Sequence, residues 1–350
     1  MSISYGNNSE YINIKDSNKK ENILHNLEEA DNKSFKPKNF MKKSEINNFV
    51  KFPILLPKSD LIESKIFSKK NIFDSFLSKN KTQNLQKKLV GISKEDLNDI
   101  IDELKGSFRT IIKNINGNYF CSDLIKICDK KQRLTILVEL SNTLYEDCVD
   151  EFGNYPIQKL IEFASDEEEF HLLIHSYNDL NKIIVPCLNK YGSFVIRKLI
   201  EQIPEKSREE FNILFVKLTC ILSRDMYGVY VLQKFICFTK NELLEKEIIN
   251  SVLNNFVNIS CNQYGNYFIQ YLLEKWWNKK KGIHLKKMII SKYSILIENN
   301  YSSYICDLFL RLCNDKEKII VISAINNDKI LKDKENKNKT LFINKNEIFH

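Results

Sequence analysis

The sequence has few residues that bend a chain sharply, with 9 glycines and 6 prolines in 350. A β-sandwich or barrel needs a turn about every ten residues, and these two residue types make most of them. Their scarcity favours helices. Paired cysteine spacing is also missing. The nine cysteines are scattered with no C-x-x-C, which disfavours zinc and reads as buried free thiols in a reducing compartment. Cys121 and Cys128 stand seven apart, as do Cys306 and Cys313, two helical turns on one face. Apolar runs such as 319–325 are far shorter than the ~20 residues that cross a bilayer. The opening MSISYGNNSE lacks the basic and apolar regions of a signal peptide. G-x-x-x-x-G-K-[ST], H-E-x-x-H and G-x-S-x-G are all absent. A soluble cytoplasmic protein is expected, with no membrane partner, no enzymatic activity and no cofactor. His171 and His175 share a helical face, but no third metal ligand accompanies them.

Hydrophobic residues make up 43% and charged residues 28%, enough for a sizeable core and inconsistent with a wholly disordered chain. The formal net charge is +8, but residues 1–70 hold 13 lysines against 9 acidic residues, half of that excess. The other 280 residues are nearly balanced, so total charge says little about a polyanionic partner.

An internal repeat organises the chain. NINGNYFCSDLI (114–125), DEFGNYPIQKLI (150–161), NKYGSFVIRKLI (189–200), DMYGVYVLQKFI (225–236), NQYGNYFIQYLL (262–273) and NNYSSYICDLFL (299–310) align. Their glycines stand at 117, 153, 192, 228 and 265, with Ser302 in the sixth place, spaced 36, 39, 36, 37 and 37 apart. Degenerate copies at 78–89 and 336–347 keep the register, for eight repeats over 59–350. Three residues before each glycine position lies Ser, Asn or Asp, a helix N-cap type. The fourth, seventh and eighth residues after it, such as Ile157, Leu160 and Ile161, form an i, i+3, i+4 apolar stripe. Upstream stretches 208–223 and 245–260 supply a second amphipathic helix. Two-helix units bury their faces only by stacking, so the expected fold is all-α: a right-handed α-solenoid, a curved superhelix of about eight repeats. Residues 1–58, rich in Asn and Lys, read as a disordered extension carrying one apolar island, FPILLP (52–57). The run 275–287 reads as a loop and helix edge, with Trp276 or Trp277 packed between repeats.

The first, second and fifth residues after each glycine position fall outside the apolar stripe. They are Asn118, Tyr119, Ser122; Asn154, Tyr155, Gln158; Ser193, Phe194, Arg197; Val229, Tyr230, Gln233; Asn266, Tyr267, Gln270; and Ser303, Tyr304, Asp307. An aromatic recurring at one place in six repeats makes a ladder, with polar side chains beside each rung. Such a ladder suits flat rings with polar edges, as unpaired RNA bases are.

GNYPIQKL and GNYFIQYL resemble the GNYVIQ-like motifs of the Pumilio-homology (PUF) family of single-stranded RNA-binding proteins. TQNLQKKL (82–89) is similar to the family's first repeat, and SSYICDLFLR (302–311) to its seventh, which also has serine for glycine. The resemblance covers about 59–350. It implies base stacking on Tyr119, Tyr155, Phe194, Tyr230, Tyr267 and Tyr304, and base-edge reading by the residues beside them. RNA would run antiparallel to the protein. Ser303/Asp307 then implies guanine, Asn266/Gln270 uracil, Val229/Gln233 adenine or uracil, Ser193/Arg197 cytosine and Asn154/Gln158 uracil. Asn118/Ser122 should read poorly, Thr82 and Gln86 imply adenine, and Thr340/Leu341/Asn344 is too divergent to assign. The implied preference is 5′-N-G-U-(A/U)-C-U-N-A-3′. It further implies UGU-containing elements in mRNA 3′-untranslated regions, repression or decay through deadenylase or translational-repressor proteins, and action as a monomer. The alternatives are a nucleolar PUF-like ribosome-assembly factor and an α-solenoid scaffold for proteins.

Overall fold

A computed structural model of the chain describes residues 67–239, 241–323 and 326. The boundary between residues 58 and 59, the FPILLP island and the repeat at 336–347 lie outside the described residues.

Every regular element among the described residues is a helix. One layer holds the triplet-bearing helices, called inner here: Lys79–Lys88, Gly117–Ile127, Asn154–Phe163, Gly192–Gln202, Gly228–Phe238, Gly265–Trp276 and Ser303–Leu312. Each packs on the next along the chain. A second layer holds Lys94–Leu104, Lys130–Leu140, Glu167–His175, Glu209–Leu222, Glu242–Asn254 and Lys280–Ser291. The stacking is that of an α-solenoid.

Two helices per repeat proves too few. Short helices intervene before most inner helices: Phe108–Ile112, Leu144–Asp147, Leu180–Cys187, Phe256–Ser260 and Tyr293–Glu298. The stretch expected as one helix over 245–260 is two, divided at Asn255 with φ −119° and ψ 20°. Lys292 makes the same break at φ −116° and ψ 11°. There the chain turns from the outer layer toward the inner one. Only 208–223 keeps its outer and short segments continuous, as Glu209–Leu222. The 275–287 run is largely helical: only 277–279 separates Gly265–Trp276 from Lys280–Ser291.

The expected stripe forms the core. Ile157, Leu160, Ile161, Ile196, Leu199, Ile200, Leu232, Phe235, Ile236, Ile269, Leu272 and Leu273 are all buried, each burial worth about 1.5–3 kcal/mol. Trp276 is fully buried, and Trp277 packs edge-on against Phe309 of the next inner helix, centroids 5.7 Å apart. Cys121, Cys128, Cys306 and Cys313 are buried thiols, as the seven-residue spacing implied.

Polar contacts set the stacking register. Asp129 caps Lys130–Leu140 and also receives Lys94 of the preceding outer helix at 2.7 Å. Asp166 caps Glu167–His175 and receives Lys130. Beneath these surface pairs Arg133 forks onto Glu169 at 2.8 and 3.2 Å, both buried. A planar fork satisfies two carboxylate oxygens at once, which a buried ion pair requires.

Candidate nucleic-acid interface

The site starts from the capping residues. Asn114 Oδ1 accepts from the backbone N–H groups of Asn116 and Gly117 at 2.9 and 2.8 Å. Asp150, Asn189, Asp225, Asn262 and Asn299 each repeat this pair of bonds. Ser78 instead accepts from Lys81 N–H at 3.3 Å. The repeat helices therefore begin later than the 114–125 type of boundary, because the capping residue holds a turn closed ahead of them. One recurring turn starts each helix at the same point, which brings its first, second and fifth residues to equivalent places.

The second residues are the exposed aromatics: Tyr119, Tyr155, Phe194, Tyr230, Tyr267 and Tyr304, between 38% and 53% accessible. Apolar residues exposed singly are ordinary, but a row of exposed rings at equivalent places on successive helices marks an interaction surface. Neighbouring rungs sense one another. Burial raises the Tyr267 hydroxyl pKa above its ordinary value, and Tyr304 and Tyr230 raise it further.

The fifth residues Gln86, Ser122, Gln158, Arg197, Gln233 and Gln270 are half-buried, and Asp307 is exposed. Arg197 lies between two rungs, its guanidinium 4.7 Å from the Phe194 ring centre and 5.9 Å from Tyr230. That spacing is cation–π contact on both faces.

The first residues correct the sequence reading. Thr82, Asn118, Asn154, Ser193, Val229 and Asn266 are buried, and only Ser303 is half-open. They sit outside the i, i+3, i+4 stripe yet face inward, because a side chain in the first helical turn leans back toward the capping turn. Asn154 Nδ2 donates to the carbonyls of Asp150 and Glu151 at 3.0 and 2.8 Å. Asn266 does the same with Asn262 and Gln263 at 3.2 and 2.9 Å. Ser193 and Ser303 donate to the carbonyls of Lys190 and Asn300. Thr82 donates to those of Ser75 and Ser78.

Two triplets are joined as pairs. Gln158 Nε2 donates to Asn154 Oδ1 at 3.0 Å, and Gln270 Nε2 to Asn266 Oδ1 at 2.9 Å. Asn118 has the same backbone bonds but faces Ser122, too short to reach it, and its buried Oδ1 has no hydrogen-bond partner. Val229 offers Gln233 no hydrogen-bonding group. Gln86 pairs across repeats, donating to Asp123 Oδ2 at 2.5 Å.

Sequence reasoning passed over the sixth position. Lys159, Lys198 and Lys234 stand there, half-buried, beside the fifth residues. The recurring QKLI, RKLI and QKFI carried that signal. Tyr271 occupies the place in its repeat and donates from its hydroxyl to the Gln233 carbonyl at 3.2 Å. His171 and His175 stack at 5.9 Å with no cluster of potential metal ligands among the described residues.

The model of the Pumilio-family RNA-binding repeat matches residues 148–175, 187–210, 220–252 and 255–276. Pumilio homolog 11 of Arabidopsis thaliana is 23% identical over 257 residues, 69% of this chain and 42% of that protein. Pumilio homolog 12 of the same plant is 24% identical over 245 residues, covering 67% and 40%. The chain thus spans about two fifths of the length of these relatives. Among solved structures, it is similar to the Puf4 RNA-binding domain bound to the HO endonuclease RNA 3′ UTR recognition sequence, with TM-score 0.64, 19% identity and coverage of 72% and 77%. The RNA-binding domain of yeast Puf5p bound to AAT2 RNA gives TM-score 0.63, 18% identity and coverage of 73% and 74%. These structures share its fold. Four consecutive stretches of the chain thus match the Pumilio-family RNA-binding repeat, and its helical-repeat fold is that of these RNA-binding domains.

Proposed function

We propose that this chain binds single-stranded RNA with base selectivity along the inner helices. The observation that carries the reading is the row of six exposed aromatics at equivalent positions, each beside a half-buried or exposed fifth residue. Stacking on a rung is worth about 1–3 kcal/mol per base and tolerates any base. Selectivity then belongs to the fifth residues, which meet base edges. Of the sixth-position lysines, Lys198 adds positive charge for a phosphate backbone, whereas Lys159 and Lys234 are paired with Glu162 and Glu201.

The finer reading is recognition of UGU-containing elements in mRNA 3′-untranslated regions in the cytoplasm, with repression or decay through recruited deadenylase or repressor proteins. Support comes from two similar structures, the Puf4 and Puf3 RNA-binding domains, each bound to a 3′ UTR recognition sequence. The family's pairing rules give 5′-N-G-U-(A/U)-C-U-N-A-3′.

Fluorescence anisotropy with an oligoribonucleotide of that sequence tests both levels. Replacing Tyr155 and Tyr267 together by alanine should weaken binding about thirtyfold or more, the low end of two lost stacking contacts. Equal affinity of the double variant would remove the ladder as the binding surface. Equal affinity for a G-U to C-C variant of the RNA would remove the base assignment but leave the ladder. Crosslinking in cells with sequencing of the bound RNA tests the transcript class.

A further inference from the structure

Gln158 and Gln270 are held from behind by an asparagine four residues earlier on the same helix. An amide held by one N–H loses the freedom to exchange its oxygen and nitrogen by rotation. The carbonyl oxygen and the remaining N–H then face outward in one order, and that order decides which base edge fits. In the first described repeat the place of that asparagine is taken by Thr82. Its hydroxyl proton is directed to Ser75 and Ser78, 2.9 and 3.1 Å away. Gln86 reaches instead to the neighbouring inner helix, donating to Asp123 Oδ2 at 2.5 Å, while Asp123 Oδ1 receives Lys126 Nζ at 2.7 Å.

We propose that Asp123 is a positioning residue for base selection by Gln86: it fixes the glutamine amide from the adjacent repeat, replacing the asparagine that does so within repeats 150–161 and 262–273. A carboxylate suits the place because one oxygen serves Gln86 and the other serves Lys126. Lys126 balances its charge, so an anionic strand is not repelled there. The base selected at this end of the array then depends on two repeats. This inference rests on the RNA-binding reading, but its structural half is independent of it.

The test uses the full chain and single-base variants of the oligoribonucleotide at the 3′-terminal base, which antiparallel binding places against Gln86. Asp123 is 37% accessible through its side chain, so truncating it leaves the core intact. Asp123→Ala should reduce discrimination at that base by at least fivefold and leave discrimination at the base facing Gln270 unchanged. Asp123→Asn, which keeps an acceptor oxygen, should restore it. Gln86→Ala and the Gln86→Ala/Asp123→Ala double variant should discriminate equally.

In the free protein, the NMR signals of the Gln86 side-chain amide should shift and sharpen in Asp123→Ala and stay near wild type in Asp123→Asn. Failure of the chain to bind the oligoribonucleotide would overturn the RNA reading, while the amide signals still decide whether Asp123 holds Gln86. Unaltered amide signals, discrimination unaffected by Asp123→Ala, or an equal loss at all bases would overturn the positioning role.

Discussion

Ser302 donates its hydroxyl to the Leu296 carbonyl at 2.8 Å. The carbonyl six residues upstream is also the group that a Cβ would strike at the repeat glycines. At Gly265 that Cβ would lie 2.1 Å from the Ile259 oxygen, and at Gly117 2.7 Å from that of Ile111. Glycine lets the inner helix start directly over the end of the short helix. Serine in the sixth place meets the equivalent carbonyl with a hydrogen bond instead.

The two positions should therefore respond differently to alanine. Gly265→Ala forces backbone against backbone and should cost about 1–3 kcal/mol or more, as overpacking does. Ser302→Ala removes one donor and should cost about 1 kcal/mol. Urea unfolding midpoints measure both, and a Ser302→Ala variant less stable than Gly265→Ala would contradict the close-approach account.

Arg197 between Phe194 and Tyr230 presents a guanidinium already stacked and oriented. Arg197→Gln should move base preference away from cytosine at the one base facing Gly192–Gln202. Arg197→Lys should lose that preference too, because an ammonium has no planar fork to stack or to pair. Anisotropy with single-base RNA variants measures the shift. A lysine variant that keeps the cytosine preference would mean that charge alone selects the base.

The unpartnered Asn118 Oδ1 makes repeat 114–125 improvable. Ser122→Gln should supply the missing donor, raise stability by about 1 kcal/mol and introduce discrimination at a base otherwise read poorly. The gain should vanish when Asn118 is also replaced by alanine. If thermal unfolding shows the same gain in both backgrounds, the Asn118 oxygen is not its source.

Burial pushes the thiols of Cys128, Cys148 and Cys306 up to about 12. An unfolded thiol ionises near pH 8.5. Above that pH the unfolded chain releases protons that the native chain retains, so stability should fall as pH rises from about 8.5 toward 12. Unfolding midpoints that stay level or rise between pH 8.5 and 9.5 would contradict this. At pH 8 iodoacetamide should label exposed Cys237 well before the buried cysteines.

The layered architecture was legible in residue order because it depends on period. Glycines 36 to 39 apart, an Asn or Asp three residues ahead and an i, i+3, i+4 stripe repeat often enough to outweigh any single ambiguous position. The short helices were not legible. Lys292 is no turn-forming type, Asn255 is one of many asparagines in the chain with nothing to single it out, and the turn they make answers the need to pass between layers.

The exposure of the tyrosines was legible because their position alternates against a stripe whose burial periodicity dictates. The burial of the first-position side chains was not. Asn154 and Asn266 look exposed on a helical wheel, yet the capping turn folds back over them and takes both amide hydrogens.

The sequence alone thus determined the repeat, the all-helical class, the stripe and the row of rings, since each follows from local periodicity and side-chain type. Tertiary structure decided how the polar side chains are shared between repeats: Gln86 to Asp123 of the next inner helix, Arg197 across two rungs. Hydrogen-bond partners 37 residues apart in the chain meet only when repeats stack. The stacking distance, which no residue type specifies, settles which donor and which acceptor remain to face a ligand.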